Sequence, residues 1–551
     1  MADSTIFVGS TWDSTSEQPR QAAVLVRGGR ITAVTGADRA DELSGAGAQL
    51  VEIGDGLLVP GFQDAHVHPI YAGGAMTLCD LHGIRTQHES VERVRQYALA
   101  NPDRPWISGG GWSMEAFSGG LPTRQLLDVV VPDRPVFLPN RDGHGAWVNS
   151  KALQLAGITR DTPDPADGRI ERDADGEPLG TLQEGASALV ARLLPAMTAQ
   201  DYDAGLDAAQ QYLFSLGITG WQDAIVGEVN GRPDNLEAYL RAAADGRLKA
   251  RVVGALWWDR ARGADQIPEL VERRASGQAG RFRATSVKIM QDGVAENFTA
   301  GMTAPYLDGC GCATDNAGLS FVDPAALRGY VTELDALGFQ VHFHALGDRA
   351  VREGLDAIEA ARAANGPTDG RHHLAHLQVV HPDDVPRFAT LGATANLQPL
   401  WACHEPQMDD LTIPFLGEPR WRWQYPFGDL ERAGARLAGG SDWSVSSPDV
   451  MWGVHVAVNR QPPPDLVLPG RAAPAFLPEQ SLALSSALAA YTSGSAYVNH
   501  LDDVTGTVEA GKYADLALLD RNPFAVPAGE ISSIRVRRTY LEGELVYSHS
   551  A

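Results

Sequence analysis

Short apolar runs alternate with longer alanine-rich stretches through the middle of this chain. Leu57 to His66, Gly217 to Asp223, Ala250 to Trp258, Ser286 to Gln291, Phe339 to Ala345, His372 to Val379, Ala393 to Leu400 and Arg436 to Ser441 read as buried strands. Between them Leu206 to Leu216, Leu236 to Ala244, Ala325 to Leu337 and Ala350 to Ala364 read as helices. Strand and helix in alternation predict a parallel sheet. Eight such strands predict a closed (β/α)8 barrel of the TIM type, an α/β fold whose chemistry sits at the C-terminal ends of the strands.

The two ends of the chain read differently. Ala23-Val24-Leu25-Val26 and Ile31-Thr32-Ala33-Val34 flank Arg27-Gly28-Gly29-Arg30 as a hairpin would, and Ala514 to Asp520 and Arg538 to Tyr547 are strand-like. Chain termini often lie close together, so residues 1–58 and 500–551 are expected to form one small β-sandwich, with a barrel domain, 59–499, inserted between them. Within the barrel, the gap between the first and second strands far exceeds a crossover helix of about 10–15 residues and predicts an inserted subdomain over about 70–210. It contains a hairpin, Gly168 to Arg172 with Pro178 to Leu182, turning at Asp175-Gly176. Since it leaves the C-terminal end of the first strand, it should cover the barrel mouth. The proline-rich segment Gln461 to Pro478 follows the last strand on the same face, as an extended surface loop or a lid.

Composition narrows the partners. With 69 acidic against 45 basic residues the formal charge is -24, which repels nucleic acid and anionic membrane surfaces. The four cysteines, Cys79, Cys310, Cys312 and Cys403, are too scattered for a disulfide framework, and Cys310-Gly-Cys312 lacks the second pair of a structural zinc site. Met1 to Ser4 lacks the features of a secretory leader, and no apolar run approaches the ~18 residues of a membrane span. The expectation is a cytoplasmic protein acting on a small molecule, with a homodimer left open.

Several predicted strands end in side chains suited to metals. His66-Val67-His68 closes the first strand, and residues two apart on a strand face one side, so both imidazoles can reach one cation. Strand four places Lys288 among Val287, Ile289 and Met290, where an ammonium is costly unless paired or neutralised. An ion pair, a Schiff-base lysine and a lysine carbamylated by CO2 all remain open. Strand five ends in His342-Phe343-His344, with His344 nearer the mouth as the ligand and His342 deeper, as a hydrogen-bonded core residue or a support for the ligands. On strand six His376 occupies the ligand position, while His372 and His373 read as solvated at the strand's start. Asp442 follows Gly439-Gly440-Ser441 on strand eight, where it would cap the next helix or serve as a metal-bound acid/base. Taken together, these residues share one rim, and that joint order predicts a catalytic metal site. Trp112, Trp221, Trp401 and Trp443 lie near the rim and would line a pocket for an apolar or aromatic substituent, or simply fill core.

On these motifs the chain resembles the amidohydrolase superfamily, in its YtcJ-like branch that includes N-substituted formamide deformylases. The resemblance runs from Pro60-Gly61-Phe62-Gln63-Asp64-Ala65-His66-Val67-His68 through Asp142 to Leu153 and Val341 to Ala350 to Gly511 to Leu516. It implies that His66, His68 and Asp442 hold one divalent metal, His344 and His376 a second, and carbamylated Lys288 bridges them. Ala375 departs from the branch, which usually has an acid there. Zinc is the expected metal, with manganese, iron or cobalt also suited to His and carboxylate ligands. The mechanism expected is hydrolysis of an N-formyl or N-acyl amine by a metal-activated hydroxide. Asp442 would act as proton carrier and His144, from the inserted segment, as oxyanion stabiliser. Cyclic amide hydrolysis or deamination would use nearly the same site. A Schiff-base lyase using Lys288 and a non-catalytic metal-binding protein are the readings from other classes.

Overall fold

The computed structural model describes residues 4–43, 48–195, 197–229, 233–467 and 473–549. Among these residues eight parallel strands form the barrel: β1 (Phe62–Val67), β2 (Ile218–Val226), β3 (Arg251–Trp257), β4 (Phe282–Met290), β5 (Gln340–Ala345), β6 (His373–His376), β7 (Thr394–Leu397) and β8 (Arg436–Gly439). They are hydrogen-bonded in chain order. Just past the strand ends the ring closes where the Asp442 N–H donates to the His66 carbonyl at 2.8 Å and the Ser441 N–H to Asp64 Oδ1 at 3.0 Å. Most of the strand residues are buried on both faces, for a reason visible in β5. Val341, Phe343 and Ala345 join the apolar layer under the helices, while Gln340, His342 and His344 alternate into the barrel interior.

The run Leu57 to His66 is not one strand. It divides at Gly61, whose N–H still donates to the Asp515 carbonyl at 2.7 Å, whereas the Phe62 N–H donates to the Gly217 carbonyl at 2.9 Å. Leu57–Pro60 pairs with Leu516–Leu519 of the C-terminus, and only Phe62–Val67 enters the barrel. Strands from both ends of the chain form one continuous eight-stranded sheet. It curls on itself. Arg30–Gly36 stands four places from Leu516–Leu519 in the strand order, yet the Ile31 N–H donates to the Lys512 carbonyl at 2.9 Å. Phe7, Val24, Ile31, Leu516, Leu518 and Tyr540 fill the enclosed core.

Between β1 and β2 a six-stranded mixed sheet forms the inserted subdomain, and it includes the predicted hairpin, Gly168–Arg172 with Pro178–Glu184. Of the segment from Gln461 to Pro478, residues 468–472 lie outside the described residues, and no described residue of it lines the central cavity. Among the described residues no helix is long and apolar enough to cross a membrane.

Candidate metal centre

The C-terminal ends of β1, β4, β5, β6 and β8 meet at the floor of a cavity of about 1200 Å³, walled on the far side by the inserted subdomain. Asp442 is the hub. Its Oδ1 lies 2.9 Å from His68 Nε2 and 3.3 Å from His66 Nε2, and its Oδ2 lies 3.9 Å from His376 Nδ1. His66, His376 and Asp442 each offer a donor atom, all within 4.8 Å of one another, which suits a shared cation. The His376 ring stands 4.6 Å from both the His66 and the His344 rings. Both His376 (φ 83) and Asp442 (φ 54) hold left-handed backbone conformations, uncommon for residues with side chains. That turn at the strand end aims each side chain inward. Asp442 does not cap a helix; the helix Val450–Asn459 is capped by Asp449.

Lys288 is buried, and its Nζ has no hydrogen-bond partner among the described residues; burial pushes its ammonium down to about 7. Both ring nitrogens of His376 and Nδ1 of His68 are likewise buried and unpartnered. Leaving so many polar atoms unsatisfied would cost about 1–3 kcal/mol each. A cation takes one nitrogen from each imidazole, so a metal centre would relieve one ring nitrogen of His376 and Oδ1 of Asp442, and the orphaned Lys288 amine fits a carbamate that adds two ligand oxygens.

Supporting contacts fix the candidate ligands. His344 Nδ1 lies 3.2 Å from Asp292 Oδ1, which frees Nε2 for the centre. Burial pushes the Asp292 carboxyl up to about 7, although the N–H groups of Gly347, Gly301 and Leu346 oppose that rise by donating to it. Asp64 accepts from the N–H groups of His66 and Ser441, tying β1 to the segment after β8. His144 reaches in from the inserted subdomain, its ring 5.3 Å from that of His344, with Nδ1 held 3.0 Å from Glu184 Oε2. Burial alone would lower the His144 pKa, but the Glu184 carboxylate raises it to about 9. Asp292, Asp64 and Glu184 were not singled out from the sequence. Asp292 stood one residue past a predicted strand end, a position that could have flagged it; Glu184 carried no comparable signal.

Two expectations are corrected. His372 and His373 are not solvated. His372 Nδ1 accepts the Val341 N–H at 3.0 Å and its Nε2 contacts Asp335 at 3.0 Å, while His373 lies inside the barrel. Of the four tryptophans only Trp401 lines the cavity, stacked flat on His376 at 5.3 Å. Trp112 packs against Phe117 and Trp147 within the inserted subdomain, Trp221 is fully buried in the barrel core, and Trp443 packs on Tyr212. Apolar burial claimed them before the cavity could. Trp106 and Trp257 line the wall instead.

Comparison with known proteins agrees with this architecture. Residues 49–547 match the profile of a family described as the amidohydrolase family. Protein LONG AFTER FAR-RED 3 of Arabidopsis thaliana is 30% identical, covering 99% of this chain and 92% of that protein. An N-substituted formamide deformylase of Arthrobacter pascens is 29% identical over 96% of this chain and 95% of its own length. An uncharacterized metal-dependent hydrolase from Pyrococcus furiosus has a similar fold, with a TM-score of 0.69 at 26% identity, covering 94% of this chain and 99% of that one.

Proposed function

The chain belongs to the amidohydrolase family, and we propose that it hydrolyses the C–N bond of small N-formyl or N-acyl amines bearing an apolar or aromatic group. The observation that carries this reading is the convergence of Asp442 with His66, His68 and His376 beside the unpartnered amine of Lys288, all on a cavity floor. The full-length similarity to a formamide deformylase supports the choice of bond, and Trp401 supplies an aromatic wall beside the centre.

His66, His68 and Asp442 would hold one divalent ion, His344 and His376 a second, and carbamylated Lys288 would bridge them. When bound, such ions bring the pKa of water down toward ~7 and polarise a carbonyl. Asp442 is placed to take the proton of the attacking water and pass it to the departing nitrogen, which leaves poorly as an amide anion. His144, with Nδ1 engaged by Glu184, keeps Nε2 free to donate to the carbonyl oxygen as negative charge develops there. The inserted subdomain sets the wall of the cavity that holds these groups.

The test is elemental analysis of the purified protein together with turnover of a panel of N-formyl amines, N-acyl amines, cyclic amides and amidines. Bound divalent metal with turnover of the formyl or acyl amines is the expected result. Turnover of cyclic amides or amidines alone would move the substrate within the family. Resistance to chelators combined with borohydride trapping at Lys288 would overturn the hydrolytic reading in favour of a Schiff-base lyase.

A further inference from the structure

Below the metal-facing rings the barrel interior is filled with polar side chains, where this fold ordinarily packs branched apolar ones. Hydrogen-bond direction through this layer can be traced from backbone groups, whose donor or acceptor character is fixed. Gln340 places its amide nitrogen against the carbonyls of Arg371 at 2.9 Å and Val498 at 2.7 Å. Its Oε1 therefore receives the amide of Gln222 at 3.0 Å. That leaves Gln222 Oε1 facing His342 Nδ1 at 2.6 Å and His373 Nε2 at 3.1 Å. A carbonyl oxygen can only accept, so both ring nitrogens carry protons.

A second path reaches His373 from the other side. The backbone N–H of His376 donates to Gln398 Oε1 at 2.7 Å, and Gln398 Nε2 donates to Asn396 Oδ1 at 3.1 Å. Asn396 Nδ2 is thereby turned toward the Ala65 carbonyl at 2.9 Å and His373 Nδ1 at 3.1 Å. His373 Nδ1 must accept, so two independent routes assign it one tautomer.

The consequence runs up to the metal-facing rings. His342 is buried with its ring 4.0 Å from His373, and its hydrogen-bond partners among the described residues are Gln222 and His66. A second proton on it would be a buried charge without a counter-ion. With its one proton on Nδ1, His342 Nε2 is a bare acceptor, and His66 Nδ1, 2.8 Å away, has to donate to it. In a neutral His66 imidazole that leaves Nε2 without a proton, 3.3 Å from the carboxylate oxygen Asp442 Oδ1, an acceptor against an acceptor. A cation resolves that opposition.

We propose that Gln222 and His342 are positioning residues that hold His66 in its Nδ1–H tautomer, so that His66 Nε2 and Asp442 Oδ1 share a divalent cation. The proposal rests on the metal-centre reading above, but its first test needs neither metal nor substrate. In metal-free wild-type protein labelled with ¹⁵N-histidine, long-range ¹H–¹⁵N correlations, with His66 assigned by its loss in His66→Asn, are expected to show the proton on Nδ1. In a zinc titration against a competing chelator, His342→Phe is expected to bind about 10–100-fold more weakly, the usual range for losing a partner that orients a metal ligand. His342→Gln, whose amide oxygen can still accept from His66, is expected to stay close to wild type, and thermal melting of the metal-free variants separates folding from binding. A proton on His66 Nε2 in place of Nδ1, or unchanged zinc affinity in folded His342→Phe, would overturn the proposal. Metal bound with this tautomer but no turnover of any amide would defeat the functional reading alone.

Discussion

At the scale of single residues, the site is governed by how each titratable group is satisfied once water is removed. Among the described residues Asp442 is the one acid in contact with three histidines, so Asp442→Asn should lower kcat by about 10²–10⁴-fold, the range for removing a general acid/base, in steady-state assays on the amide panel. Lys288→Ala should lose metal by elemental analysis, and short-chain carboxylates should restore part of the activity; a fully active variant would exclude the bridging role. Asp292→Asn replaces one of the two oxygens that serve three backbone N–H groups and His344 with an NH2 that cannot accept, and should weaken metal affinity about 10–100-fold in chelator competition. Away from the centre, the Asp335 carboxyl sits at about 2. Burial raises it, and hydrogen bonds from His372, Thr368 and Asn365 lower it by more. A depressed carboxyl stabilises the fold above its unfolded pKa and loses that contribution as pH falls through its folded one. Asp335→Asn should therefore be less stable than wild type near neutrality, by about 1–3 kcal/mol, with the gap closing between pH ~4 and 2 in denaturant titrations.

At the scale of elements, the strand ends decide what can reach what. The Gly439-Gly440 pair visible in the sequence has a packing role: a Cβ on Gly440 would lie 2.9 Å from the Cβ and N of His66. Only glycine lets the end of β8 come close enough to β1 for Asp442 to meet His66 and His68. Gly440→Ala should cost about 1–3 kcal/mol in thermal or chemical unfolding and lower bound metal, because relief of the clash parts those two strands. His-x-His on β5 was legible because a two-residue period sends both rings inward, whereas the roles of His342 and His344 depend on height within the barrel. His373 was misread for a related reason. A polar residue at a strand's start is ordinarily wet, but here β6 begins inside a layer already lined by Gln222 and Asn396.

At the scale of the whole molecule, the barrel, the curled terminal sheet and the inserted subdomain form one frame around the centre. The proposed ligands come from five strands, which would make metal binding a property of the closed fold, so chelation should lower the melting temperature and added zinc should restore it, by an amount that grows with free zinc concentration. An unchanged melting temperature on complete metal removal would contradict that coupling. The alternation of strand and helix, the metal-ligand residue types at strand ends and the long insertion after the first strand are local patterns, and the sequence alone determined them because periodicity and spacing act over a few residues. The separation of Leu57–Pro60 from β1, the burial of Trp112, Trp221 and Trp443, and the Gln340–Gln222–His342–His66 chain were decided only by tertiary structure. Each depends on groups far apart in the chain competing for the same space, or for the same proton.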